Sequence, residues 1–366
     1  METHVTRGVS RTIRILAIDG GGIRGIIPAR VLVELERLTE LPVAETFDII
    51  AGTSTGGMVA LGLTKPADDG TPALSAQDVL DIYVRFGATI FPRAHLRTVR
   101  SLPDARAATT SLAQRLGAVA HPHRYGNARY SPAGLESVLH RVLGSTCLAD
   151  ALTDVIVPTY DWKAGRSLVF RSRDAREAAG PNPPMAVLAR ATTAAPTYFP
   201  PVHHVLDGRE VILIDGGFIA NNPASIAYYE ALCLERLFDE DAAFFVFSLG
   251  TGRPPEIELT YDEIWSRDWL ELGMGLLGVA FDGTSEVVDE LLGHIIGRRY
   301  RKGRYWRLQT DLNGVSLDLD DASDANVGAL VQLADRLVLE RSDELAQIAS
   351  QLVELGSTQA ARIAPS

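Results

Sequence analysis

Ser54 has the sequence setting of a catalytic nucleophile. It stands at the centre of a G-x-S-x-G pattern, residues 52–56, which follows the apolar run 47–51 and precedes a helical pattern. A sharp turn from strand to helix exposes the serine oxygen, and the flanking glycines let the backbone cross closely there. The N–H groups that open the helix, that of Thr55 among them, can donate to a developing oxyanion. The pattern predicts acyl transfer through a serine.

A second motif could supply further donors to an oxyanion. It follows the apolar run 13–18, opens a helix and reads Asp19-Gly20-Gly21-Gly22-Ile23-Arg24-Gly25. Backbone N–H groups of Gly20, Gly21 and Gly22 have no side chains in the way and can be preorganised around a tetrahedral oxyanion. Arg24 could contact a lipid phosphate or could brace the loop. The guanidinium fork, which holds several acceptors at once, favours bracing.

The glycine motif also contains the G-x-G-x-x-G fingerprint of dinucleotide-binding folds, in Gly20, Gly22 and Gly25. An oxidoreductase of that kind needs an acid at the end of the second strand, about 20 residues later. Glu40 and Glu45 lie near that spacing, but Glu40 closes a predicted helix and Glu45 precedes the second strand. A dinucleotide-dependent oxidoreductase is therefore the alternative function, and it leaves the serine motif without a role.

The third motif, Asp215-Gly216-Gly217, follows the apolar run 211–214. A carboxylate at the carboxyl end of a strand lies at the edge where α/β sheets assemble their sites. An Asp-Gly pair is also common in ordinary turns, so this motif taken alone favours a turn.

Together the three motifs resemble those of the patatin-like phospholipase family. Residues 194–200, 221–223 and 248–252 add to the resemblance, which is dense over residues 14–252. It implies a serine lipid acyl hydrolase that cleaves ester-linked fatty acids of membrane phospholipids. Ser54 would be the nucleophile and Asp215 its general base, and the loop of Gly20 to Gly22 would form the oxyanion hole. No cofactor is implied. A general esterase uses the same machinery and remains an alternative.

The histidines agree with a catalytic dyad rather than a triad. A triad of the α/β-hydrolase type runs Ser, Asp, His along the chain. His294 is the one histidine after Asp215, and it lies in an apolar helical stretch. His203 and His204 precede Asp215 in a Pro-rich stretch that reads as a solvated loop. No histidine is well placed for a triad.

The elements that must position these residues alternate between short apolar runs and helical patterns. This predicts an α/β fold, a three-layer α/β/α sandwich with a mostly parallel central sheet. Strands are predicted at residues 13–18, 47–51, 155–160, 168–170, 211–214, 244–248 and 305–309. Helices are predicted through about residue 40, after Ser54, at 79–90 behind a Ser75/Asp78 capping box, and at 222–237, 264–296 and 325–355. Residues 13–320 form one predicted domain, with residues 321–366 as a helical segment packed on it.

Composition limits the partners. The net charge of −11 excludes a general nucleic-acid binder, which needs a basic face. Cys147 and Cys233 are too few for a disulfide framework and are predicted to be reduced, buried thiols. No cluster with metal-ligand spacing is evident. Without a signal peptide or a membrane span, we expect a cytoplasmic protein that contacts membranes transiently. The apolar stretch 270–281 could be a helix that contacts the membrane or lines an acyl chain, but its length favours a buried core helix.

A basic segment stands out in this acidic chain. Residues 92–130 carry one acid, Asp104, against seven arginines: Arg93, Arg97, Arg100, Arg106, Arg115, Arg124 and Arg129. Such a segment is either a solvated insert or a site for phosphates, which arginine forks recognise. The phosphates could belong to phospholipid headgroups. They could also belong to a cyclic oligonucleotide activator, because the chain resembles bacterial phospholipase effectors of antiphage defence in size and in its glycine motif.

Overall fold

The computed structural model describes residues 12–92, 128–238, 243–255, 260–265, 269–296 and 304–363. Six of the seven arginines of the basic segment, together with Asp104, lie outside these ranges. The seventh, Arg129, is described and pairs with Asp320 at 2.5 Å.

The described residues form one sheet of eight strands. These are β1 (Thr12–Ile18), β2 (Ile49–Gly52), β3 (Asp154–Asp161), β4 (Arg166–Arg171), β5 (Val202–Leu206), β6 (Arg209–Asp215), β7 (Ala243–Leu249) and β8 (Arg304–Leu308). The order is β5-β6-β3-β2-β1-β7-β8, with β4 paired to β3. The adjacent strands β3, β2, β1, β7 and β8 are parallel to one another, whereas β6 and β4 are antiparallel to β3. The predicted mostly parallel sheet is confirmed.

The strand β5 was not predicted, and it changes the setting of two histidines. His203 and His204 lie within β5 rather than in a loop. A two-residue turn, Asp207 and Gly208 with φ of 49° and 79°, joins β5 to β6. Positive φ at both positions is typical of the tight turns that join antiparallel strands. His203 is exposed and pairs with Glu210 at 2.5 Å.

Helices cover both faces of the sheet. They are α1 (Ile26–Thr39), α2 (Val43–Thr46), α3 (Thr55–Leu63), α4 (Ala76–Ile90), α5 (Ala133–Leu143), α6 (Ser172–Arg176), α7 (Met185–Thr192), α8 (Gly217–Ala220), α9 (Ala224–Phe238), α10 (Tyr261–Trp265), α11 (Trp269–His294), α12 (Asp324–Glu340) and α13 (Ser342–Ile363). The predicted capping box of Ser75 and Asp78 starts α4. None of the described helices combines the length and the hydropathy needed to span a bilayer.

Two apolar cores define the three layers. Alternate side chains of one strand point to opposite faces, so Leu16 and Ile18 pack with α1, α3, α4 and α12, while Ile15 and Ala17 pack with α9 and the end of α11. The predicted α/β/α sandwich is confirmed. Side chains of residues 269–280 lie outside the described set, so the predicted burial of 270–281 stays a prediction.

The C-terminal segment joins the first core. Leu330 and Leu333 of α12 are buried in the same cluster as the side chains of α1, and Arg30 pairs with Asp335 at 2.7 Å. The two cysteines differ from expectation in burial: both are free, and both are only partly buried.

Candidate active site

Ser54 occupies a strained turn between β2 and α3. Its φ of 54° and ψ of −119° are rare for a residue with a side chain, and such strain clusters at functional sites. Glycines make the turn sterically feasible: a Cβ at Gly52 would lie 2.1 Å from Gly56 O, and one at Gly56 would lie 2.2 Å from Ile18 O. The residue is 9% exposed. The sequence therefore forms the sharp strand-to-helix turn that the motif predicted.

Asp215 is far from Ser54 in the sequence but contacts it in the folded protein. It is the last residue of β6, which pairs with β3 so that Asp215 lies opposite Thr159. Ser54 Oγ donates to Asp215 Oδ2 at 2.7 Å, and the N–H of Gly217 donates to Oδ1 at 2.7 Å. These bonds orient the carboxylate with one oxygen on the serine hydroxyl. A proton can pass directly between the two side chains.

Burial gives Asp215 an unusual pKa. The residue is 1% exposed, and burial raises the pKa of its carboxyl to about 7, against the hydrogen bonds from Ser54 and Gly217, which lower it. Removing a carboxylate from water disfavours its charged form. A base with a pKa near neutrality is well matched to accept a proton from a serine hydroxyl and to return it.

Thr192 fixes the backbone of Ser54. The N–H of Ser54 donates to Thr192 Oγ1 at 3.0 Å, and that hydroxyl donates to Pro158 O at 2.9 Å. The N–H of Ser54 is thus engaged and does not face an oxyanion. Sequence reasoning missed Thr192, since it lies 138 positions from Ser54 and belongs to no motif.

The glycine loop lies beside Ser54, and its N–H groups differ in availability. The N–H of Gly20 donates to Asn221 O at 3.1 Å, so this predicted oxyanion donor is already engaged. No acceptor in the described part of the chain takes the N–H groups of Gly21, Gly22 or Thr55, and all three residues line the cavity at Ser54. Gly22 has a φ of +58°, and a Cβ there would lie 2.2 Å from Leu319 O. Three of the four predicted donors remain unengaged.

Arg24 braces the glycine loop through hydrogen bonds to its backbone. It is buried, its Nε donates to Gly21 O at 3.4 Å, and its own N–H donates to the same oxygen at 3.1 Å. Burial lowers the pKa of the guanidinium, which the charge of Asp282 partly offsets. These contacts are those of a bracing residue. Gly25 packs against α3 and α4: a Cβ there would lie 2.4 Å from Thr55 Oγ1.

A buried ion pair anchors the start of the loop. Arg307 of β8 donates to both carboxylate oxygens of Asp19, at 2.9 and 2.5 Å, and also to Ser248 Oγ at 2.8 Å. The pair spans the neighbouring strand β7. Sequence reasoning missed Arg307, which lies 288 residues from Asp19 and outside the three motifs.

The cavity at Ser54 is mostly apolar. Its apolar lining includes Met58, Tyr83, Ile90, Phe91, Leu135 and Phe199. Ser54, Asp215 and the glycine loop are its polar side. Such a cavity suits a ligand with a long apolar body and one reactive polar group.

Other predicted or conceivable site features lie elsewhere. His294 is exposed on α11, its Nδ1 lies 2.9 Å from Glu290 O, and it does not line the cavity at Ser54. Among the described residues, no three His, Cys, Asp or Glu side chains are grouped so as to hold a metal ion. The second strand ends at Gly52, followed by Thr53 and Ser54, and therefore offers no acid for a ribose.

Comparison with known proteins agrees with the resemblance. The family model for patatin-like phospholipase matches residues 16–228. Patatin-like protein 1 of Oryza sativa subsp. indica is 32% identical over 358 residues, 90% of this chain and 82% of the relative. Patatin-like protein 2 of Arabidopsis thaliana is 32% identical, covering 89% and 83%. Patatin-04/09 of Solanum tuberosum is 31% identical over the same shares.

The chain belongs to the patatin-like phospholipase family. It is an enzyme, a lipid acyl hydrolase, and this favours hydrolysis over the alternative function of a dinucleotide-dependent oxidoreductase. Among solved structures, VipD from Legionella pneumophila covers 89% of this chain and 67% of its own, with a TM-score of 0.36 and 12% identity. That likeness is too low to support an argument.

Proposed function

We propose that this enzyme cleaves ester-linked fatty acids from membrane phospholipids, as a phospholipase A, through a dyad of Ser54 and Asp215. The observation that carries the proposal is the 2.7 Å hydrogen bond from Ser54 Oγ to a buried carboxylate at the polar end of an apolar cavity. A strained serine, a base of matched pKa and a row of unengaged N–H groups meet at one point, as acyl transfer requires.

In the first half of the reaction, Ser54 Oγ attacks the ester carbonyl carbon and its proton passes to Asp215 Oδ2. The carbonyl oxygen becomes an oxyanion, which accepts hydrogen bonds from the N–H groups of Gly21, Gly22 and Thr55. The tetrahedral intermediate then expels the lysophospholipid alkoxide, which takes the proton from Asp215. An acyl ester of Ser54 remains.

In the second half, water attacks the acyl ester and gives a proton to Asp215. A second oxyanion forms in the same place. Its collapse breaks the bond from the acyl carbon to Ser54 Oγ, the serine recovers its proton from Asp215, and the fatty acid leaves.

The apolar cavity supports an acyl chain as the body of the substrate, with the ester at Ser54. Because the substrate lies in a bilayer, the enzyme must contact the membrane surface transiently. A general esterase is the competing function, since the same dyad serves any ester that fits. A phospholipase A and a general esterase differ in whether they release fatty acids from phospholipid vesicles.

Activation by a cyclic oligonucleotide is a further part of the proposal that rests on the sequence resemblance and on the basic segment. Arg129, the described arginine of that segment, has its guanidinium paired with Asp320 and stacked over the Tyr198 ring at 5.0 Å. A nucleotide would thus be bound by the other six. Their charge reversal would abolish activation but not the labelling of Ser54.

The test is fatty-acid release from mixed phospholipid vesicles by wild type, Ser54→Ala and Asp215→Asn, each with and without cyclic oligonucleotides. Ser167→Ala and Asp69→Asn, both at exposed positions, serve as matched controls. We expect release by wild type and controls and at least a thousandfold loss in both dyad variants. Release by Ser54→Ala would refute the dyad. Hydrolysis of soluble esters without release from vesicles would identify a general esterase.

A further inference from the structure

A second apolar cavity adjoins the active-site cavity. It lies between α3, α4 and α5, where Val79, Val138, Leu139 and Val142 line it. Met58 and Tyr83 line both cavities, so these two side chains form the wall between them.

The helix that follows the nucleophile leads from one cavity to the other. Ser54, Met58 and Gly62 are four positions apart, so they lie along one face of α3. The N–H of Met58 donates to Ser54 O at 3.1 Å, which places Met58 one turn, ~5–6 Å along the axis, beyond the nucleophile. Gly62 lines the second cavity and presents no side chain to it. A straight chain that leaves an ester at Ser54 along this face meets Met58 first and then the second cavity.

The two side chains of the wall, Tyr83 and Met58, differ in conformational freedom. The hydroxyl of Tyr83 lies 2.5 Å from Thr55 Oγ1 and donates to Thr55 O at 3.1 Å, which fixes the ring. Met58 is only partly buried, and its unbranched side chain has three rotatable bonds, so it can adopt another rotamer at low cost. Met58 is the movable part of the wall.

The second cavity has the chemistry of a site for hydrocarbon. Its lining consists of apolar side chains and Gly62, apart from the Tyr83 hydroxyl, which is held by Thr55. Water needs two or more polar partners to occupy such a space, whereas apolar cavities stay dry and bind apolar ligands. The terminal methylenes of a long acyl chain meet that requirement.

We propose that Met58 gates a second acyl chamber, so that long straight-chain acyl groups extend past Ser54 into the cavity between α3, α4 and α5. This inference rests on the proposed function, because it places the ester carbonyl at Ser54. Met58 is thus a specificity-determining residue for acyl-chain length, and the substrate class is a phospholipid whose scissile fatty acid is long and unbranched.

The test measures the rate at which n-alkyl fluorophosphonates of short, medium and long chain label Ser54, which needs no bilayer and no turnover. Met58→Ala removes the gate and should raise the ratio of long-chain to short-chain labelling rates on the order of tenfold. Met58→Phe closes the wall and should lower that ratio by a similar factor. Val138→Phe fills the second chamber from α5, and in the double variant with Met58→Ala it should cancel the gain.

Met185→Ala is the matched control, since Met185 is a buried methionine of α7 that lines neither cavity. Its ratio of long-chain to short-chain labelling rates should equal that of wild type. If Met58→Ala, Met58→Phe and Met185→Ala leave the ratio unchanged, the second cavity is a packing void and the inference is wrong. If no chain length labels Ser54 in wild type, the proposed function itself has failed, an outcome distinct from labelling without chain-length selection.

Discussion

Arg307 holds the carboxylate of Asp19 through two parallel hydrogen bonds, at the point where β1 gives way to the glycine loop. The side chains of Arg307 and Asp19 are 10% and 2% exposed. A bidentate arginine restricts both the position and the rotation of its partner. The geometry of the glycine loop thus depends on a strand, β8, that carries none of the reacting groups.

Arg307→Met leaves the carboxylate of Asp19 buried without its partner. We expect the free energy of unfolding to fall by about 3–5 kcal/mol in urea denaturation, and fluorophosphonate labelling of Ser54 to slow. Arg253→Met is the matched control, because Arg253 pairs with Asp311 at 2.6 Å with side chains 60% and 49% exposed. That variant should lose less than about 1 kcal/mol. Equal losses in the two variants would contradict an anchoring role for Arg307.

Gly22→Ala tests the oxyanion loop directly. Gly22 has a φ of +58°, and a Cβ would lie 2.2 Å from the backbone oxygen of Leu319, so the substitution adds a clash to the strain of a left-handed residue. Gly165 has a φ of +63° and no atom within 4 Å of a built Cβ. Gly165→Ala should cost about 1–2 kcal/mol of stability from backbone strain alone. Gly22→Ala should cost more and also slow ester hydrolysis at least tenfold. Normal hydrolysis in Gly22→Ala would argue against the loop as the oxyanion hole.

Local patterns predicted most of the elements because each carries its own signal. The apolar runs at 155–160, 211–214 and 244–248 lie inside β3, β6 and β7, and the Ser75 capping box starts α4. The strand β5 escaped prediction because its residues after Pro200 and Pro201 include adjacent histidines, and its stability comes from pairing with β6 across a tight turn. Pairing between strands is not encoded in one strand's composition.

The candidate site also has residues that the sequence predicted and residues that it did not. Ser54, Asp215 and the glycine loop could be predicted because glycines mark the turns that expose them. Thr192 and Arg307 could not, because each acts through hydrogen bonds to residues far away in the sequence, from within an ordinary helix or strand. The engaged N–H of Gly20 is also a tertiary effect, since its acceptor belongs to Asn221.

The pKa of Asp215, about 7, sets the pH dependence that we expect for acylation of Ser54. Asp215 must be ionised to take the serine proton, so kcat/KM for a short soluble ester should rise about tenfold per pH unit below pH 7. It should level off above pH 7. A soluble ester avoids changes in the lipid phase across the titration. Half-maximal activity near pH ~4, the ordinary range of an aspartate, would contradict burial as the source of the base strength.

The same raised pKa predicts that the buried carboxylate of Asp215 destabilises the fold. In the unfolded chain the carboxyl loses its proton near pH ~4. Between that pH and about 7 the folded protein keeps a proton that the unfolded chain has released, so the stability contributed by this group falls as pH rises through the window and stays low above it. Asp215→Asn removes the buried charge while keeping a similar shape.

We therefore expect Asp215→Asn to raise the free energy of unfolding by roughly 2–4 kcal/mol at pH 8, by less at pH 5 to 6, and by nothing near pH 4. Ser54→Ala is the matched control. We expect it to be equally inactive, but it keeps the carboxylate and removes a hydrogen bond that favours the charged form. Ser54→Ala should therefore gain no such stability at pH 8, and denaturation curves at several pH values compare the two variants. If Asp215→Asn is no more stable than wild type at pH 8, the carboxylate is better solvated than its 1% exposure implies. If both variants gain equally, the gain comes from relief of strain at Ser54 rather than from loss of the buried charge.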